Sequence, residues 1–200
     1  MASTVSKWAG SVDEKFKFSF KVWKEITHIK NLNFEESNIE IFLKAISGAG
    51  EKKGCLLIQF PPGLGVEAVG QLDKLLYCFQ KYDNNREWSI AVEFRNKTWY
   101  NDKVYTLLEN YHCTLVIHDK QASATPWRNE EAPFLYLRLH GPTGNYRGSY
   151  TEDFLTEYAE YIRVWRNENK MVFIYFNNTM GEAFSNLQML NKLVGTNNNS

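Results

Sequence analysis

Charged and polar side chains follow nearly every apolar run of this sequence, and their types suit anion binding and proton transfer. Lysine and arginine bind carboxylate and phosphate groups, and arginine does so through paired hydrogen bonds. Glutamate and histidine serve as general acids or bases because their pKa values can be tuned toward neutral pH. The sequence therefore predicts a site with Glu93 and His140 as catalytic residues and with substrate bound by Lys21, Gln59, Arg95, Asp119, Arg138 and Asn177.

An internal role for the same charges stays open. Glu93 can pair with Arg95 or Arg138 in an ion-pair network that fills the interior and binds no ligand. The functional interpretation is favoured because polar residues at the carboxyl ends of barrel strands usually form sites.

A metal site is a further alternative. His28, His118 and His140 fall at or just after predicted strand ends, and with Glu93 and Asp119 they offer nitrogen and oxygen ligands. The sequence has no compact His-x-His or His-Glu-x-x-His spacing, so no metal ligand is assigned and the cofactor is left unknown. His112 is expected at the surface, at a helix end.

The elements that position these residues alternate between strands and helices. Helical faces of period 3.6 are predicted over 39–46, 66–79, 104–111, 154–165 and 183–194, with Thr151 as a cap before the fourth. Strand–helix–strand repetition is typical of a parallel sheet. The apolar runs predicted as strands are Phe16–Trp23, Cys55–Phe60, Ser89–Phe94, Cys113–Asp119, Phe134–His140 and Met171–Asn177.

The polar residues favour a barrel over an open sheet. An open doubly wound sheet concentrates its ligand-binding residues at one switch point, whereas here nearly every strand ends in polar residues, as barrel strands do. No Gly-x-Gly-x-x-Gly follows any strand, which removes the usual dinucleotide-binding signal. The predicted fold is a TIM-type parallel β/α barrel, with one domain over 1–195 and a disordered polar tail over 196–200.

Two connections lack a helical pattern. Residues 120–133 are expected to form a loop over the mouth of the barrel. Residues 141–150 contain three glycines and lead into a helix, so they either cradle a phosphate or serve as a flexible connection. Trp99 and Trp127 can stack on a ligand ring, although core packing or loop anchoring is the favoured role for each.

Composition indicates the cellular compartment and limits the classes of binding partner. The 23 basic residues equal the 23 acidic ones, which argues against strong non-specific nucleic-acid binding. The three scattered cysteines indicate free thiols in a reducing compartment, so we expect a cytoplasmic protein. No apolar run is long enough to span a membrane. The expected partner is a small anionic molecule, and the oligomeric state is left open.

Five segments, in order, resemble a known family. They are Phe16-Lys-Phe-Ser-Phe-Lys-Val-Trp with Ile26-Thr-His28, Gln59-Phe-Pro-Pro62, Ala91-Val-Glu-Phe-Arg95 with Trp99, Tyr136-Leu-Arg-Leu-His-Gly141 with Tyr146, Gly148 and Tyr150, and Tyr175-Phe-Asn-Asn178. Together they look like the domain-of-unknown-function 72 family of YecE-like proteins, from about Val5 to about Val194. The resemblance implies a β/α barrel whose activity is not established.

Two departures from that family shape the expectations. Its members usually begin with two further strands, whereas six strands are visible here and a closed barrel of this type has eight. The resemblance therefore implies an incomplete barrel that lacks the first two βα units. The family often has a histidine after the Glu-Phe-Arg stretch, where this chain has Asn96.

Three functions compete. The first is a hydrolase, lyase or isomerase that acts on a small anionic polar molecule in a cationic pocket at the carboxyl ends of the strands. The second is a metal-dependent barrel that cleaves phosphodiester bonds in nucleic acid. The third is a non-catalytic binding module or an inactive fragment, because missing strands expose sheet edges that pair with other chains.

Overall fold

The six predicted strands are all present, and they belong to two compact units, Met1–Cys113 and Thr114–Ser200. The architecture comes from a computed structural model that describes residues 2–126 and 132–195. Parallel strands alternate with helices in both units, so the predicted α/β class is confirmed. Among the described residues, strand pairing within each unit is parallel.

The first unit has a parallel sheet in the order β1–β2–β3. Its core packs helices on strands rich in Leu, Ile and Val, and burying one such side chain stabilises a fold by about 1.5–3 kcal/mol. Among the largest fully buried side chains are Phe42, Phe60, Phe79, Phe94 and Trp99. Its elements are α1 (Ala2–Gly10), β1 (Phe18–Lys21), α2 (Lys24–Thr27), α3 (Glu36–Ile46), β2 (Lys53–Gln59), α4 (Val69–Tyr82), β3 (Ser89–Glu93) and α5 (Asp102–Asn110).

The second unit has a parallel sheet in the order β5–β6–β8 and a short parallel ladder of β7 with β9. Its elements are β4 (Thr114–Leu115), β5 (Ile117–His118), β6 (Phe134–Leu139), β7 (Arg147–Gly148), α6 (Glu152–Asn167), β8 (Met171–Phe176), β9 (Met180–Gly181) and α7 (Ala183–Gly195). Helices α6 and α7 cover one face of this sheet, around the buried residues Leu139, Tyr150, Leu155, Ala159, Ile162 and Leu190.

The fourth predicted strand is broken in two at Val116. The Thr125 hydroxyl donates to the Val116 carbonyl at 2.7 Å, and the Thr125 backbone N–H donates to the His118 carbonyl at 3.1 Å. The segment after β5 therefore folds back and hydrogen-bonds along the strand. This contact lies between residues nine positions apart, which strand periodicity does not reveal.

Helix α1 is not predicted from the sequence, and its packing explains it. Lys52 Nζ donates to the carbonyls of Ala9 and Val12, at 2.6 and 2.7 Å, and so satisfies carbonyl groups at and beyond the end of the helix. A Cβ on Gly48 would lie 2.3 Å from the Ala2 carbonyl oxygen, so glycine permits the close approach. The helix is thus fixed by partners more than 40 residues away.

The other helices follow the predicted pattern. Thr151 caps α6, because its side chain accepts from the Phe154 backbone N–H at 3.3 Å. Trp127 and the tail 196–200 lie outside the described residues. Every helix within 2–126 and 132–195 is too short or too polar to cross a bilayer.

Candidate functional site

Four of the nominated site residues lie along the carboxyl edge of the first unit's sheet. Lys21 Nζ donates to Gln59 Oε1 at 2.9 Å, which joins the ends of β1 and β2. Gln59 is the register partner of Glu93 at the end of β3. Glu93 forms an ion pair with Arg95, two residues further on. These four residues form one continuous row, called here the Lys21–Arg95 row.

The Glu93–Arg95 pair is the buried end of this row. The side chain of Glu93 is 0% exposed and that of Arg95 is 8% exposed. Removing a carboxylate from water is costly unless a cation and hydrogen bonds compensate it, and a guanidinium keeps its charge throughout the physiological pH range. This contact is the internal ion pair considered above as an alternative role for Glu93.

The second unit brings Asp119 and His140 together at the carboxyl ends of β5 and β6. Asp119 Oδ1 accepts hydrogen bonds from the His140 backbone N–H at 2.7 Å and from its Nδ1 at 3.1 Å. The other carboxylate oxygen, Oδ2, accepts from the Tyr150 hydroxyl. That hydroxyl accepts in turn from the Gly141 backbone N–H at 2.5 Å. Asp119 is therefore held at both oxygens, and it holds the His140 ring.

These contacts shift the protonation of the cluster. Burial acts to raise the pKa of the Asp119 carboxyl, but hydrogen bonds from His140 and Tyr150 outweigh it, and the net result is a lowered pKa. Burial, and then the neighbouring Asp119 carboxylate, raise the pKa of Tyr150 well above its ordinary value. Asp119 is thus a stable carboxylate at neutral pH, and Tyr150 stays a hydrogen-bond donor to it.

The geometry around Asp119 depends on a glycine. Gly141 has φ +97°, and a Cβ there would lie 2.2 Å from the Arg147 carbonyl oxygen. Only glycine allows the chain to turn sharply after β6 and to bring Tyr150 back to Asp119. The turn is anchored further along, where the Asn178 side chain donates to the Gly148 carbonyl at 2.9 Å and to Asn186 Oδ1 at 3.0 Å.

The glycine-rich loop 141–150 has protein acceptors for many of its backbone N–H groups. A phosphate cradle needs such groups to point at the ligand. Here five of them are engaged, at Gly141, Gly144, Tyr146, Arg147 and Tyr150. The loop is therefore an ordered connection at these positions, and they do not support the phosphate cradle.

The remaining nominated residues of the second unit lie on the same sheet. Arg138 is half-buried on β6, in register with His118 on β5 and Tyr175 on β8. Asn177 follows β8, and its backbone N–H donates to the Leu139 carbonyl at 2.7 Å. The Asn177 Nδ2 atom is buried and has no hydrogen-bond partner among the described residues.

The histidines take different positions. His118 is buried, its Nδ1 accepts from the Lys120 backbone N–H at 3.3 Å, and its ring meets that of His140 edge to face at 6.0 Å. His28 is half-buried, and burial, followed by Lys21 and Lys24, lowers its pKa. His112 is exposed just after α5.

No described set of ligands supports the metal alternative. Within residues 2–126 and 132–195, no three His, Cys, Asp or Glu side chains are grouped closely enough to hold a metal ion.

Trp99 and Asn96 have structural contacts in the first unit. Trp99 is fully buried, stacks on Phe94 at 4.7 Å, and donates from Nε1 to the Leu64 carbonyl at 2.7 Å, as the core-packing role requires. Asn96 Oδ1 accepts from the Thr98 backbone N–H at 3.1 Å, and Asn96 Nδ2 donates to the Pro62 carbonyl at 3.0 Å. Both side chains thus anchor the chain after β2 and β3.

The sequence predicts no role for Tyr150, Tyr146 or Lys120. In the structure Tyr150 contacts Asp119, Tyr146 contacts His140, and Lys120 contacts Tyr146. Tyr146 meets the His140 ring edge to face at 5.3 Å, and Lys120 Nζ lies 4.2 Å from the centre of the Tyr146 ring. The only local signal for the two tyrosines is their place in the glycine-rich loop, Tyr146 between Gly144 and Gly148 and Tyr150 two residues after Gly148. Lys120 carries no signal beyond its position after a strand.

Comparison with known proteins identifies the family. The family model described as "Protein of unknown function DUF72" matches residues 1–200. The chain belongs to the DUF72 family. The resemblance read from the five segments is thereby confirmed. No curated protein matches the chain.

Two solved DUF72 structures share this fold. A DUF72 family protein from Thermotoga maritima has a TM-score of 0.80 and 22% identity, over 96% of this chain and 79% of that one. One from Enterococcus faecalis has a TM-score of 0.79 and 25% identity, over 96% of this chain and 84% of that one. The likeness to the Thermotoga maritima protein bears on the fold alone, and neither description gives the DUF72 family an activity.

Proposed function

We propose that this DUF72 chain is an enzyme that acts on a small anionic polar molecule, and that His140, oriented by Asp119, transfers the proton. The observation that carries the proposal is the double hydrogen bond of Asp119 Oδ1 to the backbone N–H and to Nδ1 of His140. An imidazole held by a carboxylate at one nitrogen has a fixed tautomer and orientation, which is how enzymes prepare a histidine for acid–base work.

The atoms have defined roles in this proposal. Because Asp119 Oδ1 is an acceptor, His140 Nδ1 carries the hydrogen and Nε2 presents the lone pair that takes a proton from the substrate or returns it. Asp119 stabilises the imidazolium formed in that step. Hydrolysis, elimination and isomerisation all need such a proton transfer, so the reaction class is one of these three.

The architecture that we propose for the whole chain is a TIM-type parallel β/α barrel. The parallel strand pairing in each unit, the polar residues at the strand ends and the likeness to solved DUF72 structures support it. In barrels of this type the carboxyl ends of the strands carry the active site. The Lys21–Arg95 row and the Asp119–His140 pair both occupy such ends.

The first test removes the imidazole that is proposed to transfer the proton. The His140→Gln variant should lower turnover by about 100-fold or more, which is the usual contribution of a general acid or base. Candidate substrates are a panel of small carboxylates and phosphate esters, followed by proton NMR for any chemical change. The control is His112→Asn, which removes an exposed imidazole and keeps a residue type that tolerates the φ of +55° there.

A second measurement does not depend on finding the substrate. Nitrogen-15 NMR of the imidazole should show His140 protonated at Nδ1 in its neutral form, and Asp119→Asn should disturb that preference. A neutral His140 protonated at Nε2 in the wild type, or wild-type turnover in His140→Gln, would overturn the proposal.

We propose separately that the Lys21–Arg95 row of the first unit binds an anion, as its residue types predict, and Lys21 tests that role best. Lys21 is exposed at the end of β1, so Lys21→Ala leaves the buried Glu93–Arg95 pair intact. We expect Lys21→Ala to raise KM with little change in kcat, because a binding cation acts on substrate and transition state alike. The matched control is Lys44→Ala on α3. Equal KM values in both variants would remove Lys21 from the binding role.

A further inference from the structure

Lys120 is a cation beside the proposed catalytic histidine, and no role has been assigned to it above. Its backbone follows Asp119 directly, and its ammonium lies 4.2 Å from the centre of the Tyr146 ring. In the part of the chain that the structure describes, that ammonium makes no hydrogen bond and no ion pair, so its charge is met by the ring face alone. A cation left in this state is ready to bind an anion.

Tyr146, whose ring Lys120 contacts, is placed beside His140 by its backbone. Its φ is +69°, a conformation that is strained for a tyrosine. Two backbone hydrogen bonds hold it there, from the Tyr146 N–H to the His140 carbonyl at 2.6 Å and from the Met180 N–H to the Tyr146 carbonyl at 3.0 Å. Tyr146 as a residue is 38% exposed, and its ring meets the fully buried His140 ring edge to face. Tyr146 therefore lies at the boundary between His140 and solvent.

A second lysine in this chain also lies over a tyrosine ring, and there the lysine binds a carboxylate. Lys81 lies over the ring of Tyr82, with Nζ 5.0 Å from the ring centre. A carboxylate completes that group, because Glu36 Oε1 accepts from Lys81 Nζ at 2.5 Å and from the Tyr82 hydroxyl at 3.1 Å. A lysine stacked on a tyrosine thus forms a carboxylate site in this protein, with the carboxylate supplied by its own chain.

We propose that Lys120, stacked on Tyr146, binds the carboxylate of a small-molecule substrate in the position that Glu36 takes beside Lys81. The inference rests on the proposed function and names its anion subsite. A carboxylate held by Lys120 keeps the remainder of the molecule near Tyr146 and His140. In this proposal the lysine selects the charge of the substrate, and the tyrosine limits its approach to the imidazole.

The experiment measures carboxylate binding directly. Acetate and malonate are titrated into isotopically labelled protein at constant ionic strength, with inorganic phosphate as a third probe, and the amide signals of residues 118–121 and 145–148 are followed by NMR. The wild type should bind at least one carboxylate saturably. Lys120→Met should weaken that binding about tenfold, since a charge-assisted hydrogen bond is lost.

Matched variants distinguish the loss of the positive charge at Lys120 from the loss of a positive charge elsewhere in the second unit. Lys170→Met removes another lysine of the second unit, one that pairs with Glu168, and should leave the dissociation constant within about twofold. Lys120→Arg should retain binding. Unchanged circular dichroism of each variant shows that the fold is intact.

Three outcomes would overturn the inference. They are the absence of saturable carboxylate binding to the wild type, equal affinity in Lys120→Met and wild type, and saturable binding of phosphate but not of carboxylates. His140→Gln should still bind the carboxylate, because the charge belongs to Lys120. Loss of turnover with retained binding in His140→Gln supports both proposals. Wild-type turnover in His140→Gln, together with weakened carboxylate binding in Lys120→Met, would support the subsite and show that the role of His140 is wrong.

Discussion

The two units end their strands with polar clusters of different chemistry. The first unit buries Glu93 against Arg95, an ion pair between a carboxylate and a guanidinium. The second unit joins Asp119 to His140, and a histidine is the side chain whose ordinary pKa lies nearest neutrality. Polar strand ends are therefore not equivalent: one cluster is a buried ion pair, and the other contains the histidine for which we propose proton transfer.

The surroundings of the two acids reinforce this difference. Glu93 is enclosed with its cation, so its carboxylate is compensated inside the unit. Asp119 accepts hydrogen bonds from the backbone and ring of His140 and from the Tyr150 hydroxyl. These contacts orient the His140 ring, and none of them comes from a lysine or arginine. The first arrangement suits stability, and the second suits the proton transfer that we propose for His140.

The largest effect on stability is expected from breaking the buried pair. Glu93→Gln leaves the Arg95 charge buried without its carboxylate, and we expect the free energy of unfolding to fall by about 3–5 kcal/mol. Urea unfolding followed by circular dichroism measures it. Glu87→Gln is the control, since Glu87 pairs with Lys53 at 3.2 Å with its side chain 49% exposed, and about 0–1 kcal/mol is expected there. Equal losses would mean that the Glu93 pair does not hold the unit together.

Asp119→Asn tests the second cluster through its pH dependence. The pKa of Asp119 is lower in the folded chain, so the ionised carboxylate stabilises the fold above its unfolded pKa of about 3.9. That contribution is lost as the pH falls through the folded pKa. We expect Asp119→Asn to lower the free energy of unfolding by about 1.5–3 kcal/mol at pH 7.

The difference between Asp119→Asn and wild type should also shrink at acidic pH. The measurement is urea unfolding at pH 7, 4 and 3. A difference that stays constant over this range would show that Asp119 does not titrate with folding.

Tyr150→Phe should have a smaller effect with a distinct signature. Loss of the hydroxyl removes one donor to Asp119 and leaves the Gly141 N–H without that acceptor, so we expect about 1–2 kcal/mol of destabilisation. The pKa of Asp119 should rise toward its ordinary value, which carbon-13 NMR of the carboxyl measures. Tyr161→Phe, whose hydroxyl donates to Glu157 on the exposed side of α6, should leave that pKa unchanged.

The helix caps should give the smallest effects, and similar ones in the two units. Thr151→Ala removes the acceptor for Phe154 at the start of α6, and Asn101→Ala removes the acceptor for Val104 at the start of α5. Each should cost about 1 kcal/mol, measured by thermal unfolding. A much larger loss at Asn101 would be explained by its second hydrogen bond, from Nδ2 to the Thr98 carbonyl at 2.9 Å.

Much of the fold is readable from the sequence because it depends on local pattern. The apolar runs and the 3.6-residue faces predicted the strands and five of the helices, and Thr151 was identified as a cap from its type and position. Helix α1 was missed because Lys52 and Gly48 stabilise it from a distant part of the chain. The break at Val116 was missed because Thr125 returns to the strand only in the folded state.

The candidate site was also predictable only in part, in its residues but not in their contacts. Residue type and position after a strand were enough to nominate both Asp119 and His140. The contact between them, which was not predicted, is seen only in the structure. Tyr150 had no predicted role, because its approach to Asp119 depends on the turn at Gly141 and on the Asn178–Asn186 contacts beyond it.

The sequence by itself determined the α/β class, the family, and the presence of charged residues at the ends of parallel strands, since each follows from residue pattern along the chain. Only the tertiary structure decided which charges meet: Glu93 with Arg95, Asp119 with His140 and Tyr150, and Lys120 with the face of Tyr146. The physical reason is that strand period gives the side of the sheet on which a residue lies, whereas the loops after the strands set the distances between side chains. Hydrogen-bond and ion-pair energies depend steeply on those distances.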